Sequence, residues 1–196
     1  MRIVPLSRFV MTRAVLHVDL DAFFCSVEEL LAPELKGQAF VVGGRPEGRG
    51  VVASASYAAR KFGVRSAMPM AQAVRLCPGL QIVRPRHGEY SDHSERVMQY
   101  LRDSVPVVEQ ISIDEAFLDA SDDPRGGSGA AREMQTEIRS RFGLPSSWGV
   151  ASNKLVAKIA TEVGKPGGLI AVPGGSEAQF LAPLPVGMLW GIGPKS

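Results

Sequence analysis

The sequence predicts an α/β or α+β fold with a mainly antiparallel sheet, and three observations support this prediction. Short β-rich runs alternate with amphipathic helical segments along the 196 residues, without internal repeats. Proline or glycine stands where most of these segments end. The composition, with 45% hydrophobic and 21% charged residues, is typical of a globular protein with one well-packed core, or a core with a small appended lobe.

The individual elements follow from local patterns. Runs rich in β-branched and apolar residues predict strands at 15–20, 40–42, 51–53, 107–113, 116–118 and 148–151. Apolar residues at helical spacing predict helices at 22–31, 56–62, 69–76, 88–104, 130–142 and 154–163. Polar, glycine-rich segments at 43–50 and 122–129 are predicted to be loops, and residues 181–196 are rich in proline and glycine.

Several classes of protein are disfavoured. No apolar run approaches the ~20 residues that cross a bilayer, and residues 1–10, an N-terminal extension, do not resemble a signal peptide. Cys25 and Cys77 lack C-x-x-C spacing, which favours buried free thiols in a reducing cytoplasm. The three histidines are not spaced as zinc ligands. We therefore expect a cytoplasmic protein without a membrane segment.

Charge alone says little about a partner. The formal net charge is +2, from 22 lysines and arginines and 20 aspartates and glutamates. A surface that binds duplex DNA normally carries a clear basic excess, so this value argues weakly against strong nucleic-acid binding.

Two acidic clusters lie where apolar strands are predicted to end. Asp19 and Asp21 follow the first strand, and Asp114 and Glu115 separate two later strands. Either pair alone could be a solvated turn. Because desolvated like charges repel, their apolar neighbours favour a site for hard divalent cations, and two such ions would suit phosphoryl transfer.

Basic and hydroxyl residues could supply counter-charges for a triphosphate. Tyr57 and Arg60 are three residues apart and share a helix face, and Lys154 and Lys158 share a face of a later helix. Lys165 follows in a glycine-rich segment. Each of these basic residues, considered alone, could equally be an ordinary surface charge.

Four segments together resemble the Y-family translesion DNA polymerases, most closely those of the DNA polymerase IV type. The similarity extends over residues 14–196, in the family's order and spacing. The segments that carry it are 19–24 (Asp-Leu-Asp-Ala-Phe-Phe), 56–64 (Ser-Tyr-Ala-Ala-Arg-Lys-Phe-Gly-Val), 112–117 (Ser-Ile-Asp-Glu-Ala-Phe) and 149–154 (Gly-Val-Ala-Ser-Asn-Lys).

The resemblance implies an α+β polymerase palm, with a mainly antiparallel sheet backed by helices. The palm would comprise residues 11–22 and 86–173, and a small α/β fingers domain at 23–85 would be inserted in it. Residues 174–196 would begin a helical thumb. The implied activity is template-directed DNA synthesis past lesions, by attack of a primer 3′-hydroxyl on the α-phosphate of a deoxynucleoside triphosphate.

The resemblance also assigns roles to individual residues. Asp19, Asp114, Glu115 and the backbone carbonyl of Leu20 would bind two Mg²⁺ ions, with the three carboxylates as catalytic residues. Phe24 would be the steric gate that excludes a 2′-hydroxyl. The implied triphosphate contacts are Ser54, Tyr57, Arg60 and Lys165, and the implied DNA-binding residues are Gly191, Gly193 and Lys195, from the first half of a helix-hairpin-helix.

Two departures from the family pattern and several alternatives stay open. Ala22 stands where the family often has a bulkier residue, and Ser56 stands where the family often has asparagine. Both departures affect the expected fit of the nucleotide. Phe23 and Phe24 could both be core residues of one helix; we assign Phe23 to the core. A nucleotide cyclase uses similar acids, and a degenerate polymerase could act as a non-catalytic repair scaffold. The expected partners are primer–template DNA, a deoxynucleoside triphosphate and a sliding clamp bound through a region C-terminal to this chain.

Overall fold

The computed structural model describes residues 13–189 and residue 192. Its strands are β1 (Val15–Leu20), β2 (Phe40–Gly43), β3 (Val52–Ala55), β4 (Gln81–Val83), β5 (Val107–Gln110), β6 (Glu115–Asp119), β7 (Ser146–Ala151) and β8 (Leu169–Ala171). Its α-helices are α1 (Phe23–Leu31), α2 (Tyr57–Arg60), α3 (Met70–Leu76), α4 (His87–Ser104), α5 (Gly126–Phe142), α6 (Lys154–Gly164) and α7 (Glu177–Leu181). Single 3₁₀ turns are formed by Pro33–Leu35 and Val186–Met188.

The larger sheet has five strands in the order β5–β6–β1–β7–β8. Neighbouring strands from β5 to β7 are antiparallel, and β8 is parallel to β7. The central strand β1 is buried along its whole length because both faces of the sheet are covered. The prediction of an α+β fold with a mainly antiparallel sheet is confirmed.

Successive residues of β1 pack against different helices. Leu16 and Val18 belong to the main core, together with residues of α1, α4 and α5. Val15 belongs to a second cluster on the opposite face, with α6. A Cβ atom at Gly149 would lie only 1.9 Å from the Ala157 carbonyl oxygen. Glycine in β7 therefore permits the close approach of α6 to the sheet.

The smaller sheet has the order β3–β2–β4 and lies within residues 23–85. Strand β2 is antiparallel to β3 and parallel to β4. Val41, Val52 and Met70 form a separate apolar cluster between this sheet and the short helices beside it. Helix α1 instead contributes Phe23 and Val27 to the main core, so the first helix of this segment packs against the larger sheet.

The structure differs from the predicted elements in several places. The strands β4 and β8 were not predicted, because each has three residues and pairs in parallel with a strand distant in sequence. The strand predicted at 107–113 ends at Gln110, where Ile111 begins a turn by donating to the Glu115 carbonyl. Residues 122–129 were predicted to be a loop, but α5 begins at Gly126.

The packing of α5 explains its glycine-rich start. A Cβ atom at Gly127 would lie 2.9 Å from the Ala14 side chain and 3.0 Å from that of Val150. Glycine thus allows the first turn of the helix to contact the sheet, a tertiary requirement that local propensity does not reveal. None of the helices in the described part of the chain combines the length and apolar character that a bilayer span needs.

Candidate active site

Three carboxylates meet where β1 ends and β6 begins. The antiparallel register places Asp19 directly opposite Glu115, and Asp114 is the residue before β6. The Leu20 N–H donates a hydrogen bond of 3.0 Å to the Asp114 carbonyl, which fixes this turn against β1. The fold therefore brings together the two acidic clusters that the sequence keeps far apart.

Two lysines from α6 and the segment after it lie against these carboxylates. Lys165 Nζ is 2.6 Å from Asp19 Oδ2, and Lys158 Nζ is 2.6 Å from Glu115 Oε1. Burial raises the pKa of Asp19 to about 7, although Lys165 acts in the opposite direction. Burial also raises the pKa of Asp114. Burial opposes ionisation of Glu115 too, but the hydrogen bond from Lys158 lowers the pKa of this carboxyl group.

The chemistry of these donors fits a hard divalent cation. Carboxylate oxygens are the side-chain ligands that Mg²⁺ prefers, and a cation would offset the burial that raises the pKa of Asp19 and Asp114. Among the described residues, no three His, Cys, Asp or Glu side chains are already arranged to hold an ion, and the carboxylates bond to lysines instead. The number of ions and the role of the Leu20 carbonyl stay predictions.

This end of the sheet opens into a cavity of about 250 Å³. Asp19 and Asp114 form part of its lining, whereas Glu115 borders a neighbouring cavity with Lys158 and His17. The other predicted site residues that line the first cavity are Leu20, Phe24, Ser54, Tyr57, Arg60 and Lys165.

Tyr57 and Arg60 line the cavity and belong to α2, a short helix with a side-chain N-cap. The Ser56 hydroxyl accepts a hydrogen bond from the Ala59 N–H, as an N-cap residue does. The Arg60 guanidinium lies over the Tyr57 ring, 4.8 Å from its centroid, and its Nε donates to the Ala55 carbonyl at 3.0 Å. These contacts hold the Arg60 guanidinium at the cavity wall beside Tyr57.

Phe23 and Phe24 have different environments. The Phe23 side chain is buried in the main core, as predicted, whereas Phe24 is half-buried and lines the cavity. The Phe24 ring stacks on Tyr90 of α4, with a centroid distance of 4.3 Å and an interplanar angle of 12°. One face of the Phe24 ring is therefore supported by Tyr90, a residue that the sequence analysis did not assign to the site.

An ion pair between buried Glu28 and partly exposed Arg86 fixes Tyr90. Its hydroxyl donates to Glu28 Oε1 at 2.6 Å, and the Arg86 guanidinium bonds to both carboxylate oxygens of the same residue. Burial opposes ionisation of Glu28, but the hydrogen bonds from Arg86 and Tyr90 lower the pKa of its carboxyl group. Tyr90, which supports the Phe24 ring, is thus held by a carboxylate that also accepts hydrogen bonds from a guanidinium cation.

The sequence analysis placed Asp21 in an acidic cluster with Asp19, but the structure gives it hydrogen-bond donors of its own. It is 1% exposed, and its carboxylate accepts hydrogen bonds from Tyr57, Ser147 and Gly167. A signal was present, because Asp21 is two residues after Asp19 at the end of a strand. The identity of its partners depends on contacts between distant segments and has no local signal.

The remaining predicted residues divide into two groups. Lys154 bonds to Glu109 of β5 and is absent from the cavity lining in the described residues, so it is a surface ion pair rather than a counter-charge for a triphosphate. The predicted DNA-binding residues Gly191, Gly193 and Lys195 lie outside the described residues.

Comparisons with protein families and with curated relatives agree on the same kind of protein. The model of the impB/mucB/samB family matches residues 18–162. A DNA polymerase IV of Alkalilimnicola ehrlichii is 48% identical over 184 residues, which are 92% of this chain and 52% of that protein. A DNA polymerase IV of Streptomyces coelicolor is 48% identical over 187 residues, 93% of this chain and 39% of that protein. The chain therefore spans about half or less of the length of these curated relatives.

Solved structures show the same similarity. The crystal structure of DinB from Sulfolobus solfataricus aligns with a TM-score of 0.87 and 36% identity, covering 93% of this chain and 55% of that one. An insertion ternary complex of Dbh DNA polymerase aligns with a TM-score of 0.86 and 37% identity, over 93% of this chain and 55% of that one. At this identity and coverage, the likeness extends beyond the fold class to the segments that carry the site.

Proposed function

The chain belongs to the impB/mucB/samB family of Y-family DNA polymerases, and from this membership we propose that it catalyses template-directed DNA synthesis past lesions. The single observation that carries the proposal is the cavity at the end of β1. There, metal-type carboxylates, an aromatic side chain and the predicted triphosphate contacts converge from distant parts of the sequence. The reaction is attack of a primer 3′-hydroxyl on the α-phosphate of a deoxynucleoside triphosphate, with release of pyrophosphate.

The proposed domains follow the two sheets. Residues 11–22 and 86–173 form the palm, 23–85 the fingers and 174–196 the start of a thumb. The separate apolar cluster of the smaller sheet supports the fingers assignment, and the position of the carboxylates on the larger sheet supports the palm. The packing of α1 in the main core supports a firm attachment of the fingers to the palm.

Asp19, Asp114, Glu115 and the Leu20 carbonyl are proposed to hold two Mg²⁺ ions. When bound, such ions supply Lewis acidity to the attacking and leaving oxygens of an in-line displacement. Lys165 and Lys158 each contact one of the carboxylates and orient it, and the hydrogen bond from Lys158 also lowers the pKa of Glu115.

The other residues position the nucleotide. The Arg60 guanidinium, the Tyr57 hydroxyl, the Lys165 ammonium and the Ser54 hydroxyl supply donors for triphosphate oxygens, and cationic donors form the stronger hydrogen bonds. Phe24 lies under the sugar. Its stacking on Tyr90 keeps the ring from yielding to a 2′-hydroxyl, which gives preference for deoxyribonucleotides.

The two alternatives have less support. A nucleotide cyclase would also need strand-end acids and triphosphate contacts, but membership in a family of DNA polymerases favours the polymerase. A non-catalytic scaffold would be favoured by loss of a metal carboxylate, and all three acids are present. Primer–template DNA and a deoxynucleoside triphosphate are the proposed partners. Binding of a sliding clamp and a cytoplasmic location stay predictions.

Primer extension with Mg²⁺ tests the proposed function. The wild-type protein is expected to add deoxynucleotides complementary to the template. Asp114→Asn keeps the shape of the side chain but removes its charge, and we expect it to lower the rate below about a thousandth of wild type, or about 4 kcal/mol of transition-state stabilisation. Asp103→Asn on the exposed surface of α4 is the control and is expected to retain activity. Near wild-type extension by Asp114→Asn would show that the metal assignment is wrong.

A further inference from the structure

Asp21 is a buried acid to which the family resemblance gives no role. Its Oδ1 accepts hydrogen bonds from the Tyr57 hydroxyl at 3.2 Å and the Ser147 hydroxyl at 2.8 Å. Its Oδ2 accepts from the Gly167 N–H at 2.8 Å. All three donors are neutral groups, in contrast to the lysine that bonds to Asp19.

The three donors come from three separate segments. Tyr57 is the first residue of α2, Ser147 lies in β7, and Gly167 belongs to the turn that follows Lys165. The Gly167 N–H is shared with the Ser147 hydroxyl oxygen at 2.9 Å, which tightens the turn against β7. One carboxylate thus connects the segment that carries Tyr57 to the turn that carries Lys165.

Both connected side chains line the cavity proposed to hold the triphosphate. Tyr57 belongs to the proposed fingers and Lys165 to the proposed palm, so their separation depends on how these two regions are held together. The Asp21 carboxylate bonds to both sides of that junction. Its loss would let the tyrosine and the lysine turn move independently.

The hydroxyl of Tyr57 has a single hydrogen, which imposes a further condition. In the structure this hydrogen is directed to Asp21 Oδ1. Burial, with the nearby Asp21 charge, raises the pKa of the Tyr57 phenol, so the hydroxyl keeps its hydrogen at neutral pH. Triphosphate oxygens can only accept, and Tyr57 can therefore bond to a triphosphate only by withdrawing its hydrogen from Asp21.

We propose that Asp21 is a positioning residue of the triphosphate site, which orients Tyr57 and the turn after Lys165 and transfers the Tyr57 hydrogen bond to the incoming triphosphate. The transfer costs little, because Asp21 keeps its bonds from Ser147 and Gly167 when Tyr57 turns to the ligand. This inference rests on the proposed function, since it concerns the same cavity.

A double-mutant cycle on nucleotide affinity tests the inference. The probe is a fluorescent deoxynucleoside triphosphate with Mg²⁺, titrated into the wild-type chain, Tyr57→Phe, Asp21→Asn and the double variant. In the wild-type background, Tyr57→Phe is expected to weaken binding about tenfold, the effect of one hydrogen bond to a charged group. In the Asp21→Asn background, the same change is expected to weaken binding less than about threefold. The amide has one acceptor oxygen, so it cannot accept from both Tyr57 and Gly167, and the tyrosine and the turn after Lys165 lose their common anchor.

Matched variants separate positioning from general damage. Asp119→Asn removes a carboxylate that accepts hydrogen bonds from Ser121 at the other end of β6, and here the full Tyr57→Phe penalty is expected. If thermal melts show that Asp21→Asn does not fold, Ser147→Ala replaces it. That variant removes one donor to Asp21 and the shared acceptor of Gly167, so it should also reduce the Tyr57→Phe penalty.

The outcomes are distinguishable. Equal penalties for Tyr57→Phe in the wild-type background and in the folded Asp21→Asn or Ser147→Ala background would overturn the positioning role while leaving the polymerase proposal intact. Failure of the wild-type chain to bind the nucleotide would overturn the triphosphate site itself, and the inference with it.

Discussion

Two acidic regions of the protein, one at the end of β1 and one behind Phe24, differ in how their carboxylates are balanced by cations. At the end of β1, the carboxylates of Asp19, Asp114 and Glu115 are served by two lysine ammonium groups, and burial raises the pKa of the first two. Behind Phe24, the single carboxylate of Glu28 receives bonds to both its oxygens from Arg86 and another from Tyr90, and its pKa is lowered despite burial.

The difference in charge balance separates the proposed metal and nucleotide site from a structural ion pair. Glu28 already accepts three hydrogen bonds, two of them from a guanidinium cation, so we infer that the Glu28 region stabilises the fold and supports Tyr90 beneath Phe24. A cluster in which acids outnumber their cationic partners is destabilised until more positive charge arrives. The β1 end therefore has the property that a metal and nucleotide site requires.

The largest expected contrast concerns the two adjacent phenylalanines. Truncating a fully buried Phe costs about 3–5 kcal/mol, so Phe23→Ala should strongly destabilise the protein. Phe24 is half-buried and lines the cavity, so Phe24→Ala should mainly allow ribonucleotides to be incorporated. Thermal melts and incorporation of matched ribo- and deoxyribonucleotides check both variants. An unchanged sugar preference in Phe24→Ala would contradict the gate assignment.

The sequence predicted the residues at the end of β1 better than those of the Glu28 region behind Phe24. Asp19, Asp114 and Glu115 lie in motifs beside apolar strands, although the pairing of β1 with β6 that brings them together was not predicted. Pairing of Glu28 with Arg86 joins residues far apart in the chain, and no spacing rule links them. Local patterns identify which residues can do chemistry, whereas tertiary contacts decide which residues hold them in place.

The same limit applies to the fold. Helix α6 was predicted at nearly its observed bounds, because its cap residue Asn153 and its apolar spacing are local features. The edge strands β4 and β8 have three residues each and form only because a neighbouring strand offers unpaired backbone groups. The hydrogen-bond partners of Asp21 could not be predicted for the same reason, because its three donors come from segments that only the folded chain brings together.

An effect of intermediate size on the free energy of unfolding is expected when the Glu28 carboxylate is replaced by an amide. Glu28→Gln leaves Arg86 without its counter-charge and Tyr90 with a weaker acceptor. Because Arg86 is partly exposed, we expect a loss near the lower limit for a broken buried pair, about 3 kcal/mol of unfolding free energy. Chemical denaturation measures this, with Glu95→Gln, which breaks an exposed pair with Arg102, as the control. A loss below that of the control would show that Glu28 is not structural.

The smallest effect, and the sharpest test of the comparison, is the pH dependence of stability in the presence of a metal chelator. The folded-state pKa of Asp19 is raised from 3.8 to about 7, so between these values the folded chain binds a proton that the unfolded chain does not. Stability contributed by this protonation is absent above pH 7 and increases as the pH falls towards 4, by at most about 1.4 kcal/mol per pH unit. Glu28 has the opposite sign, because its lowered pKa gives stability that is lost only as the pH falls below its unfolded value of 4.5.

Subtracting the unfolding free energy of Asp19→Asn from that of wild type isolates the Asp19 contribution, since asparagine does not titrate. We expect this difference to rise as the pH is lowered from 7 to 5, whereas the corresponding difference for Glu28→Gln stays flat over the same interval. A flat Asp19 difference would mean that Lys165 already balances this carboxylate as completely as Arg86 and Tyr90 balance Glu28, and the distinction between the two regions would be wrong.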